Sequence, residues 1–126
     1  MAQIDSLQKF KAYQKACLLF DQAVSDMSAL TKSPLTARLI SQQVASADSI
    51  AANIEEGYGR GSKKDYAHFL VIARGSATET RGRYSRMKHW LSANVIAERV
   101  ALCDEIIAIL TSTIRTLRND GGGRTT

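Results

Sequence analysis

The sequence predicts an all-α protein, an up-down-up-down antiparallel four-helix bundle in a single domain. Three observations carry that expectation. Apolar residues recur three and four apart through four long stretches, which is the pattern of one buried helix face. The breaks between the stretches are short and hold Pro, Gly, Ser and Asn, residues that end or cap helices. No segment alternates apolar and polar residues as a half-buried strand does. Helices joined by such short turns pack most economically as antiparallel neighbours. The chain of 126 residues suits one domain, expected over residues 1–120, and can bury roughly two-thirds of its unfolded surface.

The first helix is expected over residues 4–30. Phe10, Tyr13, Cys17, Phe20, Val24 and Met27 alternate three and four apart as its seam, and Leu7 extends it. Thr31-Lys32-Ser33-Pro34 interrupts the pattern. Proline is excluded from a helix interior but fits the first position of a new helix, with Ser33 as its cap. The second helix, residues 34–56, carries Leu39, Ile40, Val44, Ala47, Ile50, Ala51 and Ile54 on a stripe rich in Ala and Ser. Small residues there allow a neighbouring helix close approach.

Gly57, Gly59 and Gly61 then stop the stripe. The expectation is that Gly57 takes the left-handed conformation that ends a helix, which only glycine enters without a Cβ penalty. Ser62 is expected to cap the third helix, with Asp65 near the positive end of its dipole. That helix is expected over residues 62–92, with Tyr66, Leu70, Ala73, Ala77, Thr80, Tyr84, Met87 and Leu91 facing inward. At a rise of 1.5 Å per residue it would be about 45 Å long. The fourth, residues 94–118, starts at Asn94 and repeats Ile96, Val100, Cys103, Ile107, Leu110, Ile114 and Leu117. Residues 121–126 are expected to form a disordered tail.

One segment of the sequence carries a further pattern: Ser49-Ile50, Asn53-Ile54, Glu56-Gly57, Gly59-Arg60 and Ser62, then Tyr66, Phe69-Leu70, Ile72-Ala73-Arg74-Gly75-Ser76 and Glu79. This run resembles the small four-helix-bundle proteins encoded in intervening sequences of bacterial large-subunit ribosomal RNA. That family is related to the accessory variability protein of diversity-generating retroelements. The resemblance is sharpest over residues 41–79 and extends as a helix pattern over 7–118. It implies a ring-like homopentamer and a setting tied to RNA. Two positions depart from the family's habit: Ser33 precedes Pro34 where an aromatic is usual, and Ala77 and Thr80 stand where leucines are usual.

The residues argue against catalysis. His68 and His89 are twenty-one positions apart on one expected helix, about 30 Å along its axis. No Cys/His pair has zinc spacing, no repeated Glu-x-x-His pair marks a di-iron site, and adjacent Glu55 and Glu56 point to different faces. The glycine-rich loop lacks both the spacing and the preceding strand of a nucleotide-binding motif. The expectation is a non-enzyme with no metal and no cofactor. Cys17 and Cys103 fall on apolar stripes and are expected as reduced thiols. No apolar run is long enough to span a bilayer and no signal sequence opens the chain, so a cytoplasmic protein without membrane contact is expected.

Charge is the most informative functional feature. Of the net +5, residues 60–90 hold eight Lys/Arg (Arg60, Lys63, Lys64, Arg74, Arg81, Arg83, Arg86, Lys88) against only Asp65 and Glu79. Arg74, Arg81 and Lys88 are seven apart and so share one stripe of the third helix, flanked by Arg83 and Arg86. Such a stripe suits a phosphate backbone. The eight cations are therefore candidate contacts to structured RNA or an RNA–protein complex. Asn53, Glu56, Gly57, Gly59, Ser62 and Glu79 are candidate structural positions that tie the loop and helices together. Leu102, Ile106 and Ile109 on the fourth helix, and Leu18 and Leu19 on the first, widen the apolar faces beyond what two neighbours require. These faces favour self-association, the resemblance implies an oligomer, and the alternative to RNA binding is a ring that docks a protein partner.

Overall fold

The computed structural model describes residues 2–121, with side chains over 6–120. All regular structure among them is helical: α1 (Ala2–Lys9), α2 (Lys11–Ser28), α3 (Ala37–Gly59), α4 (Lys63–Ser85) and α5 (Ala93–Gly121). The expectation of a disordered tail concerns residues that, apart from Gly121 at the end of α5, lie outside the described ones. α2 packs on α3, α3 on α4, α4 on α5, and α5 back on α2, while α1 leans on α2.

The first expected helix is two. Phe10 takes an extended conformation (φ −73°, ψ 117°) between α1 and α2. Gln14 bridges the break, its side-chain amide donating to the Gln8 carbonyl at 2.7 Å. The buried seam of α2 runs beside the expected one and meets it at Met27. Its buried line is Ala12, Ala16, Leu19, Ala23 and Met27. The expected line of Phe10, Tyr13, Cys17 and Phe20 is only half-buried, and Val24 is exposed. The alanines sit at the centre of the contact because they let backbones approach, and the larger side chains pack beside them.

Pro34 does not open α3. Residues 33–36 form a turn in which the Ser33 hydroxyl accepts from the Leu35 N–H at 3.2 Å and the Ser33 carbonyl accepts from Ala37 at 2.8 Å. Buried Thr36 closes it, donating to the Thr31 carbonyl at 2.8 Å. Ser33 therefore acts one turn before the regular helix starts.

α4 ends at Ser85, seven residues short of its expected end at 92. Arg86 caps it, and Met87 to Leu91 fold into successive turns, with Trp90 and Leu91 N–H groups both donating to the Met87 carbonyl at 3.0 Å. Met87 is buried all the same, and Trp90 and Leu91 pack on the core. A tight turn can bury residues at the same three-to-four spacing as a helix, so the pattern continues where the helix does not. α5 begins one residue earlier than expected, because Ser92, not Asn94, caps it by accepting from the Val95 N–H at 3.2 Å.

The core is Ile50, Ile54, Leu70, Ala73, Ala77, Tyr84, Cys103, Ile106, Leu110 and Ile114 with the α2 line. Burying one of its Leu, Ile or Met side chains is worth about 1.5–3 kcal/mol relative to exposure, and an alanine methyl correspondingly less. Among the described residues no helix is long and apolar enough to cross a membrane.

Candidate nucleic-acid interface

The α3–α4 connection is tighter than glycine stops alone would make it. α3 runs straight through Gly57 and ends at Gly59, so Gly57 is not the left-handed residue; Gly61 is, at φ 90°. Gly57 is instead required by contact. A Cβ there would lie 2.7 Å from Phe69 Cβ and 3.2 Å from both Tyr66 Cδ1 and the Tyr66 carbonyl oxygen. The expected helix end at Glu56 moves accordingly. Ser62 caps α4 as expected, its hydroxyl accepting from the Asp65 N–H at 3.1 Å.

Around this turn the aromatic and basic groups are ordered by one another. Tyr58 and Tyr66 meet edge to face at 5.8 Å, and burial, reinforced by Tyr58, pushes the Tyr66 phenol up to about 12. Arg60 donates to Glu56 at 2.9 Å and lies over the Phe69 ring at 4.9 Å. It thereby ties the end of α3 to α4 by a cation–π contact. Lys63 and Lys64 are exposed at the start of α4.

The face of α3 that meets α4 is polar along one edge, which the hydrophobic pattern does not announce. Arg83, expected on the surface, is 6 % exposed. Its guanidinium donates to Gln43 Oε1 at 2.8 Å, Ser46 Oγ at 3.0 Å and Glu79 Oε2 at 3.1 Å. Glu79 thus pairs one turn along its own helix and not with another element. Gln43 donates onward to the Thr80 carbonyl, and the Ser46 and Thr80 hydroxyls meet at 2.8 Å. Ser49 meets Ser76 at 2.9 Å, and Asn53 caps that pair from its own helix, donating to Ser49 Oγ at 2.9 Å and to the Ser49 carbonyl at 2.8 Å. Arg83 is a packing residue and leaves the set of phosphate contacts. A buried guanidinium survives here because both of its terminal nitrogens meet acceptors, one of them the Glu79 carboxylate.

The expected stripe of Arg74, Arg81 and Lys88 divides. Arg74 is half-buried and donates to Thr111 Oγ1 at 3.2 Å, and Arg81 forms a two-pronged pair with Asp104 at 2.6 and 3.4 Å. Both therefore lie on the α5 side of α4. Arg86 and Lys88 lie past the end of the helix and are exposed, and so does His89, which no longer shares a helix with His68. Among the described residues, Lys63, Lys64, Arg74, Arg86 and Lys88 have no carboxylate partner.

Two arrangements have no counterpart in the expected sites. Asp26, near the end of α2, accepts both prongs of Arg99 at 2.8 and 3.2 Å and the Tyr84 hydroxyl at 2.7 Å. It locks α2, α4 and α5 together, and only the tertiary fold brings its members within reach. A groove of about 280 Å³ between α4 and α5 is lined by Arg74, Thr111, Ile114, Arg115, Arg118 and Asn119. Thr111, Arg115 and Arg118 were legible as one helix face from their spacing of four and three.

Among the described residues no cluster of His, Cys, Asp and Glu is arranged to hold a metal ion. Cys103 is buried and Cys17 half-buried, neither in a disulfide. Burial pushes the Cys103 thiol up to about 12 and raises Cys17 as well.

No curated protein matches the chain. The family model described as 23S rRNA-intervening sequence protein matches residues 8–112, a span that takes in the glycine turn, the polar α3–α4 seam and the Arg74 face. The chain belongs to that family.

Proposed function

We propose that the protein is a non-catalytic, cytoplasmic, oligomeric helical bundle that binds structured RNA through the cations at and beyond α4. In this proposal the helices run up-down-up-down, with α1 and α2 forming one arm. The order of the cross-helix pairs supports antiparallel neighbours. Gln43 meets Thr80 while Ser49 meets Ser76, and Arg81 meets Asp104 while Arg74 meets Thr111.

The observation that carries RNA binding is the set of cations left without carboxylates. Lys63, Lys64, Arg86 and Lys88 are exposed and unpaired among the described residues, so their charge is available to phosphate. The family's link to 23S rRNA intervening sequences agrees with such a ligand, and A-form RNA is recognised mainly by shape and backbone. Self-association, as a homopentamer in this proposal, is supported by apolar side chains that one chain leaves uncovered: Leu18, Val24, Leu35 (73 % exposed) and Ile72. A ring would repeat the cations and make binding multivalent.

A gel-shift titration with a structured RNA tests the proposal, using protein whose mass in solution is measured by light scattering. Lys63→Glu, Lys64→Glu and Lys88→Glu combined should abolish the shifted band while the circular dichroism spectrum is unchanged. Retained affinity would sink the RNA-binding function. The second reading, a ring that docks a protein such as a polymerase, draws on the same uncovered apolar residues and on the resemblance to retroelement accessory proteins. A partner that stays bound after nuclease digestion would favour it.

A further inference from the structure

We infer that the groove between α4 and the last turns of α5 is a phosphodiester-binding site in which Arg74, Arg115 and Arg118 hold consecutive phosphates of an RNA strand. The inference rests on the RNA-binding function proposed above and joins Arg74 to Arg115 and Arg118, which the charge pattern of residues 60–90 leaves out. Three of the six groove-lining residues are arginines, and none is acidic. Thr111, Arg115 and Arg118 are spaced i, i+4, i+7 on α5 and so lie on one face. Arg74 enters from α4 and is oriented by its 3.2 Å bond to Thr111. Arg115 and Arg118 are exposed and have no carboxylate partner among the described residues.

The contrast with the neighbouring turns is what makes the groove specific. One turn pair further along the same α4–α5 contact, Arg81 is neutralised by Asp104, and on the α2 side of α5 Arg99 is neutralised by Asp26. The arginines nearest the end of α5 are the ones left open. Arg118 also offsets the negative end of the α5 dipole, a task that one cation fulfils and that gives no reason for three around one groove. Arg74 and Thr111 lie level, so Arg115 and Arg118 sit about 6 and 10 Å further along the axis. Guanidinium forks at such intervals suit a chain of phosphates, each held by paired donors. Pairing of Arg81 with Asp104 and of Arg74 with Thr111 brings the end of α5 toward the start of α4. The groove therefore opens toward the end of the molecule that carries Lys63 and Lys64.

The test is fluorescence anisotropy with a labelled RNA hairpin on full-length protein, comparing wild type with the double variant Arg115→Gln, Arg118→Gln. A control of equal charge change, Lys32→Gln with Arg38→Gln, alters exposed cations around the start of α3. The groove variant should lose tenfold or more in affinity, and its logarithmic salt slope should fall by one to two units, one for each phosphate contact removed. The control should change affinity less than threefold. Equal losses in both variants would mean diffuse charge and would overturn the site, as would an unaffected groove variant of a wild type that binds. A wild type that binds no RNA would overturn the RNA-binding function and the groove with it. Loss of binding to vesicles of phosphatidylcholine and phosphatidylserine, but not to RNA, would reassign the groove to anionic lipid.

Discussion

Substituting alanine for Gly57 tests the tightest contact in the fold. The added methyl would lie 2.7 Å from Phe69 Cβ, an atom fixed to the α4 backbone that cannot rotate away, and 3.2 Å from the Tyr66 carbonyl. Ordinary carbon contacts begin about 0.7–1 Å further out, so the end of α3 and the first turns of α4 must separate by that amount. Overpacking of this kind costs about 1–3 kcal/mol. Against it stands a gain of about 0.5–1 kcal/mol, because Gly57 lies inside a helix and alanine is the better helix former. The net expectation is a loss of about 1–2 kcal/mol, equivalent to a fall of roughly 3–10 °C in Tm for a chain of this size. Gly75 is the control. It sits within α4 with open space around its Cβ position, so Gly75→Ala should raise stability by about 0.5–1 kcal/mol. Thermal melts followed by circular dichroism measure both at one fixed protein concentration, so that the proposed self-association cannot shift Tm between samples. If Gly57→Ala stabilises as much as Gly75→Ala, the close approach of α3 and α4 is wrong.

Three further outcomes follow from the polar contacts. Arg83→Met should cost about 1–3 kcal/mol in urea unfolding, because it strands the buried Gln43 Oε1; Arg83→Lys should recover only part, as one ammonium cannot reproduce the fork. Asp104→Asn releases Arg81 from its pair and should strengthen RNA binding several-fold in a filter-binding assay, whereas weaker binding would argue that Arg81 faces away from the ligand. The Cys103 thiol, raised by burial from 9.0 to about 12, holds its proton more firmly in the folded chain than in the unfolded one. Its contribution is fully present below pH 9 and is lost as pH rises from 9 through about 12. Melts at pH 8, 9 and 10 should therefore show a smaller alkaline decline in Cys103→Ala than in wild type.

The helical class and most of the core were legible because burial on a helix repeats every three to four residues. Leu70, Ala73, Ala77, Thr80, Tyr84 and Met87, chosen on spacing alone, are all buried. What the spacing could not give was direction of approach. On α2 it selected the larger apolar residues and missed the alanine line beside them, because a close contact buries small side chains at its centre. It also carried α4 through the turns that follow Ser85, which bury Met87 with the same interval. At Gly57 the residue was recognised and its reason was not. A steric demand from Phe69 cannot be read before α4 is placed.

The site was less legible than the fold for a related reason. Charge counting found the basic segment, but a formal charge becomes a binding group only when no carboxylate faces it. Arg83 is spent inside the α3–α4 seam and Arg81 on Asp104, whereas Arg115 and Arg118 remain open in a segment whose net charge is zero. Asp26, Tyr84 and Arg99 lie up to 73 residues apart, and nothing local marks them as partners.

The most direct test of the central claim is an anisotropy titration of a structured RNA against the wild-type protein at about 50 and 200 mM salt, with the assembled mass measured on the same sample. Open cations, repeated by the proposed self-association, predict binding that weakens steeply across that range, with a logarithmic slope of several units. Absent binding, or binding that salt leaves unchanged, would contradict the account and leave the uncovered apolar residues as the functional surface.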